Sequence, residues 1–431
     1  MISLGGVIGA GLFVGSSVLI SSVGPAVLLA YGICGLIVFL VMRMLAELAL
    51  WTNNSGVFTE YTRGPLGSWA AFTSGWLYTY YWVIVIAVET IAAAGTLQRW
   101  LPLPMWLLAT LLLGCLAIAN LSAVRMYGEL EFWFASIKVA TIILFVAFGL
   151  GYVLLGQHGF EVGPALLFRR GGFAPHGYGA VLREVPAAMF AVAGAEIAAI
   201  AAVDSSDPVG NTARSVRTVV LRVLAFYLSS MLIILMMVPW SAIVSGYSPF
   251  SAALDRVGFG DGAAIMDAVI LTAILSCLNS GIYVAARTLR GLADRGDAPS
   301  LATRCDARGT PYIAVLTVAV AAYALSLCAA FSYRAVFHLL LSASGAVMLF
   351  IYLLIALAQI VNRRAQERLG APLPAITIWI FPWLSGLVVV LIVGVLGLML
   401  MKRQTAIDLF ASSASAIIVS AAYALRRSLA S

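Results

Sequence analysis

Gly5, Gly6, Gly9, Gly11 and Gly15 crowd into one apolar stretch, separated only by Val7, Ile8, Ala10, Leu12, Phe13 and Val14. A helix in lipid must satisfy its own backbone hydrogen bonds, because each orphaned group costs several kcal/mol there. Glycine at this density works against an unbroken helix and lets a partner approach bare backbone. An interrupted helix at membrane depth is tolerated only where protein encloses it or it lines a cavity. The opening of the chain therefore predicts a binding site inside a membrane protein.

The remaining sequence fits that setting. Of 431 residues, 62% are hydrophobic and only 10% charged, and the mean hydropathy is +1.03. Soluble domains carry about 25% charged residues, so a water-soluble globule is excluded. Apolar runs long enough to cross a hydrocarbon core of roughly 30 Å recur from end to end. The pattern predicts an all-α membrane protein of about twelve spans, at 3–22, 26–49, 68–96, 104–123, 132–156, 179–202, 217–240, 263–287, 311–331, 335–360, 376–400 and 406–425. No stretch has the length or polarity of a soluble domain, and the first apolar run lacks the basic leader of a cleavable signal peptide.

The net charge of +7 does not point to nucleic acid, because the basic residues sit in short loops between spans. With the N-terminus cytoplasmic, about twice as many lysines and arginines fall inside as outside, which is the expected bias. Both termini then face the cytoplasm of a plasma or inner membrane. The five cysteines are scattered without a C-x-x-C pair and the three histidines have no ligand spacing, so neither a disulfide framework nor a metal site is expected.

Span 6 contains Phe190-Ala191-Val192-Ala193-Gly194-Ala195-Glu196, a second small-residue patch five spans after the first. Interrupted spans in corresponding positions of two halves mark the binding site of secondary transporters. Five being odd, the second copy enters the membrane from the opposite side. The expected organisation is a first repeat at 1–156, an external loop at 157–178, an inverted repeat at 179–362 and two further helices at 363–431.

Few charges lie within spans: Glu89, Lys138, Glu184, Glu196 and Asp267. Each needs a partner, a wet cavity or a function. Lys138 lies among Phe132, Trp133, Phe134, Ile137 and Ile142, a setting that suits a proton carrier; snorkelling or permanent pairing with a carboxylate is the structural alternative. Glu196 stands beside the second break, where attracting an amine, carrying a proton and binding loose backbone are all open to it. Glu89 suits either a buried hydrogen-bonded carboxyl or a proton pathway, whereas Asp267 and Glu184, near the external ends, read as structural. Ser276, Asn279 and Ser280 offer polar support from span 8, or simply join helices. Trp76, Tyr78, Tyr80, Tyr81 and Trp82 read as packing.

Helix ends suggest the ligand. Amides after the first break, at Ala10 and Gly11 beside Gly9, begin a helix with its positive dipole end exposed and suit a carboxylate. Carbonyls near Val7 and Ala193, flanking Gly194, suit an ammonium group. A zwitterion satisfied at both ends points to amino acids rather than sugars or lipids.

The stretch G-G-V-I-G-A-G-L-F-V-G-S-S at 5–17 resembles the first-helix signature of the amino acid/polyamine/organocation (APC) superfamily. The likeness continues through Gly24-Pro25-Ala26, Met42 to Leu48, Gly75 to Tyr78, Tyr127 to Trp133, Gly194 to Ile197, Ser276 to Ser280 and Arg295 to Pro299. Within the superfamily the chain most resembles bacterial amino acid permeases, those for GABA (4-aminobutyrate) foremost. The resemblance implies a LeuT-type five-plus-five inverted repeat with discontinuous helices 1 and 6 plus two C-terminal helices. It further implies uptake of an amino acid with a proton, backbone at Ala10, Gly11, Val7 and Ala193 holding the substrate, Phe190 capping it, and Lys138 standing where sodium-driven cousins hold sodium. Three departures stand out: Gly11 replaces a serine of GABA permeases, Asp204 and Val209 alter the loop after helix 6, and the chain starts where the family's basic tail would already have entered helix 1, as a misassigned start or a truncation.

The sequence thus predicts a secondary active importer of GABA or a related zwitterion. Its partners are the amino acid and the bilayer; no cofactor is needed besides the coupling proton, and the oligomeric state is left open. Competing readings are an exchanger, a permease for proline, aromatic or basic amino acids, and a non-transporting sensor. The absence of a nucleophile–base pair argues against an enzyme.

Overall fold

The structure is a computed structural model that describes residues 6–52, 61–122, 127–155, 161–194, 196 and 208–430. Every long element among the described residues is helical. Gly5, Arg125, the stretch of span 6 after Glu196, and Asp204 lie outside them, as does the side chain of Val209.

Span 1 is broken where its glycines predict. Helical Gly6 and Val7 give way to bends at Ile8 and Gly9, followed by a π-helical turn, Gly11–Gly15, and then α1, Ser16–Val23. Gly24, at φ +66°, ends α1, and Pro25 follows, a common glycine-then-proline stop. Helix α2 spans Val27–Thr52, α3 Ser68–Leu97, α4 Met105–Ser122 and α5 Tyr127–Leu155.

Span 6 begins with a short helix, Tyr178–Arg183, continues as α6, Val185–Val192, and stops. Ala193 is extended, at φ −65° and ψ 152°, and Gly194 takes φ +107°, a conformation that only glycine adopts without strain. Then follow α7, Pro208–Met237; α8, Gly260–Asp294; α9, Tyr312–Leu327; α10, Tyr333–Arg368; α11, Trp383–Met399; and α12, Arg403–Ala430.

Several boundaries differ from expectation for physical reasons. Helices α8 and α10 run 35 and 36 residues, well beyond a bilayer's need, because polar turns continue past the apolar windows that hydropathy detects. Helix α11 starts at Trp383 rather than 376, just after Pro382. The connection from α7 to α8 holds an amphipathic helix, Pro249–Arg256, capped by the Ser248 hydroxyl. Its Phe250 ring lies 5.0 Å from Phe13 and 4.8 Å from Phe145.

Among the described residues, seven helical stretches are long and apolar enough to cross a membrane, and α4, α11 and part of α7 are shorter apolar helices. Of these seven stretches α3 is the most enclosed, packed against α8 and α10, while α2 packs against α7 and α6 against α10, α2 and the π-helical turn. Helices α5 and α12 are peripheral, each only 22% buried across its apolar window. The two breaks therefore lie in the protein's interior.

Candidate functional site

The breaks face each other. A methyl added at Gly194 would lie 3.2 Å from Val7 Cγ2 and 3.6 Å from the Gly6 carbonyl. One added at Gly11 would meet the Ala191 Cα at 2.7 Å and the Phe190 ring at 3.1 Å. Val7, Gly9, Ala10, Gly11, Phe190, Ala193 and Gly194 are all buried, and the structure brings them together.

Much of the loosened backbone already has a partner. The Ala10 amide donates to both oxygens of Glu89, at 3.0 and 2.9 Å. The Gly194 amide donates to Glu196 Oε2 at 2.9 Å, and the Tyr78 and Tyr352 hydroxyls hold the same carboxylate at 3.2 and 3.4 Å. The Gly6 carbonyl accepts from the Cys277 thiol at 3.2 Å, and the Ala191 carbonyl from the Tyr227 hydroxyl at 2.5 Å. The carboxylates accept from the amides, and a thiol and a hydroxyl donate to the carbonyls, so these residues replace the hydrogen bonds that continuous helix would have made. Of the three roles open to Glu196, the geometry shows the backbone one.

Lys138 lies on the buried stripe of α5, with Ala135, Ile142 and Phe145, while Trp133, Ile137 and Leu144 on the other face are exposed. The aromatic neighbours of the sequence thus face outward and the amine inward. Its Nζ donates to Ser276 Oγ at 3.0 Å, and its charge reaches Glu89. Ser276 and Ser280 are buried, but Asn279 turns away: its Oδ1 accepts from Asn120 Nδ2 on α4 at 2.7 Å. Of the two roles open to these side chains, Ser276 meets the Lys138 amine and Asn279 joins two helices.

Sequence reasoning missed the hydroxyls of Tyr227 and Tyr352 and the Cys277 thiol. Tyr78 and Cys277 lie within the family-like motifs, a signal that was available; Tyr227 and Tyr352 sit in plain apolar runs. Asp267 and Glu184 stand at one end of the bundle, Asp267 pairing with Arg99 and with the Ser251 hydroxyl at 2.5 Å.

Residues 1–426 match the family model for amino acid permeases. The chain belongs to the amino acid permease family. It is 40% identical to the gamma-aminobutyric acid permease of Bacillus subtilis over 92% of this chain and 85% of that one. With the gamma-aminobutyric acid permease of Escherichia coli K12 the identity is 39%, over 97% and 90%. With the aromatic amino acid transport protein AroP of E. coli K12 it is 33%, over 100% and 94%. This permease is a multi-pass membrane protein whose substrate is an amino acid, and the paired breaks lie among the segments that carried the resemblance.

Proposed function

We propose that this permease is a secondary active importer that moves GABA or a related zwitterion inward together with a proton. The observation that carries the reading is a run of neighbouring groups: Lys138 Nζ lies 3.0 Å from Ser276 Oγ, Glu89 lies within reach of the Lys138 charge through space, and Glu89 holds the Ala10 amide at the first break. Proton state at Lys138 is thereby linked to the backbone that receives substrate. The substrate carboxylate docks at the π-helical turn from Gly11, whose first amides lack intrahelical acceptors, and the ammonium group docks at carbonyls around Val7 and Ala193. Phe190, packed beside Gly11, closes over it, while Gly9 and Gly194 keep the backbone accessible. Ser280 supports the Lys138 site from α8. Glu89 and Glu196 hold the two breaks and complete the polar path along which protonation is felt.

The architecture in this reading is a LeuT-type inverted repeat, 1–156 and 179–362, with an external loop between and two added helices at 363–431. In this reading the chain crosses the plasma membrane twelve times, with both termini in the cytoplasm as the bias of basic residues suggests. Release needs only different affinities in the two orientations.

Uptake of labelled GABA, proline, lysine and aromatic amino acids into proteoliposomes, with and without an inward proton gradient, tests the proposal. Accumulation of GABA or a close analogue that depends on the gradient in wild type, lost in K138A while exchange persists, is the expected result. Gradient-driven accumulation by K138A overturns the coupling role, and strict dependence on internal substrate identifies an exchanger instead.

A further inference from the structure

Away from the breaks, three titratable side chains on three helices converge. His338 on α10 places Nε2 4.0 Å from Glu184 Oε2 at the head of α6, and Nδ1 4.0 Å from Asp408 Oδ2 on α12. The Asp408 side chain is fully buried and Glu184 nearly so, at 0% and 8% exposure. Glu184 Oε2, His338 Nδ1 and both Asp408 oxygens are buried without a hydrogen bond among the described residues. Lys402 and Arg183 face Glu184, and Lys402 also faces His338. The Ser342 hydroxyl approaches Asp408 without a bond of normal geometry.

Two enclosed carboxylates with orphaned oxygens are expensive unless a charge or a proton compensates them. The imidazole between them is the group placed to supply it, since an imidazolium donates from both nitrogens. A polar cavity of about 490 Å³, lined by Ser21, Ser22, His176, Arg183, Glu184 and Lys402, gives protons a route to Glu184. We propose that Glu184, His338 and Asp408 form a proton-binding latch, in which protonated His338 ties the head of α6 to α12 through α10 and deprotonation frees it. Because α6 leads into the second break, the latch biases the mobility of the element that carries Phe190. It is separate from Lys138 and needs no particular substrate.

The test uses the full chain in nanodiscs with its histidines labelled with ¹⁵N. The chain has three histidines, so the difference from H338Q identifies the His338 signal. As pH falls through the range in which histidine titrates, from about 8 to 5, His338 becomes imidazolium. E184Q and D408N each weaken that proton binding about tenfold, a displacement of roughly one pH unit; either variant suffices if the other fails to fold. The melting temperature of wild type exceeds that of H338Q at the acidic end, and the gap closes at the alkaline end. A His338 neutral throughout, a titration that both carboxyl variants leave unmoved, or a melting gap independent of pH overturns the latch.

Discussion

The Ala10 amide donates to both carboxylate oxygens of Glu89, at 3.0 and 2.9 Å, from a residue 79 positions away. The first break is therefore held from outside its own helix, by α3. A buried amide left without an acceptor costs about 1–3 kcal/mol. E89A is expected to lower the melting temperature of the detergent-solubilised protein, and E89Q, which keeps one acceptor oxygen, to fall between E89A and wild type. Equal melting of all three proteins would show that the contact carries no stability.

Gly11 lets span 1 touch α6 backbone to backbone. The 2.7 Å approach of an added methyl to the Ala191 Cα cannot be relieved by a side-chain rotation. Overpacking of this kind costs typically 1–3 kcal/mol, so G11A should reduce uptake about tenfold or more without loss of membrane insertion. G32A, where an added methyl meets nothing within 4 Å, is the matched control and should transport normally. Comparable uptake by G11A and G32A would remove the close approach from the mechanism.

What the sequence made legible follows from the kind of physics involved. Both interruptions could be read because glycine and small residues act locally, on the backbone that carries them: bends at Ile8 and Gly9, and the turn at Ala193 and Gly194, fall where composition placed them. Lys138 could be read because an amine in an apolar run demands an explanation anywhere. Asn279 could not, because its orientation depends on Asn120, far away in sequence and on a different helix. The tyrosines at 227 and 352 were hidden for the same reason, as nothing near them in sequence signals that their hydroxyls reach Ala191 and Glu196. Local conformational constraints are written in short stretches; pairing across a bundle is written in two places at once.

That separation between Ser276 and Asn279 has a measurable consequence. Ser276 accepts from Lys138 and Asn279 from Asn120, so the two alanine variants should fail differently. N279A loses a helix–helix hydrogen bond, worth about 0.6–1.7 kcal/mol in a membrane; it should melt lower yet keep the wild-type pH dependence of uptake. S276A should displace that pH dependence, because it removes an oxygen from the amine. Identical pH profiles for both variants would contradict the assignment of Ser276 to the Lys138 site.

A second buried charge, at the opposite end of the bundle from Glu184, is held far more completely. Glu47 on α2 is 1% exposed and accepts from Arg363 Nη1 at 3.0 Å, Gln359 Nε2 at 3.1 Å and the Ile378 amide at 2.8 Å. Gln359 is fixed in turn by the Ser385 hydroxyl at 2.8 Å, so one carboxylate joins α2, α10, α11 and the segment before α11. Removing one partner of a buried pair costs about 3–5 kcal/mol, because the other charge stays desolvated and uncompensated, whereas removing both costs much less. R363A should therefore sharply reduce the yield of monodisperse protein on fluorescence-detected size exclusion, and E47L/R363A should recover part of it. R363K keeps the charge but not the fork that reaches Glu47 and Glu367 together, and should lie between wild type and R363A. If the double variant is no better than R363A, the network acts by its hydrogen bonds to Gln359 and Ile378 rather than by pairing charge.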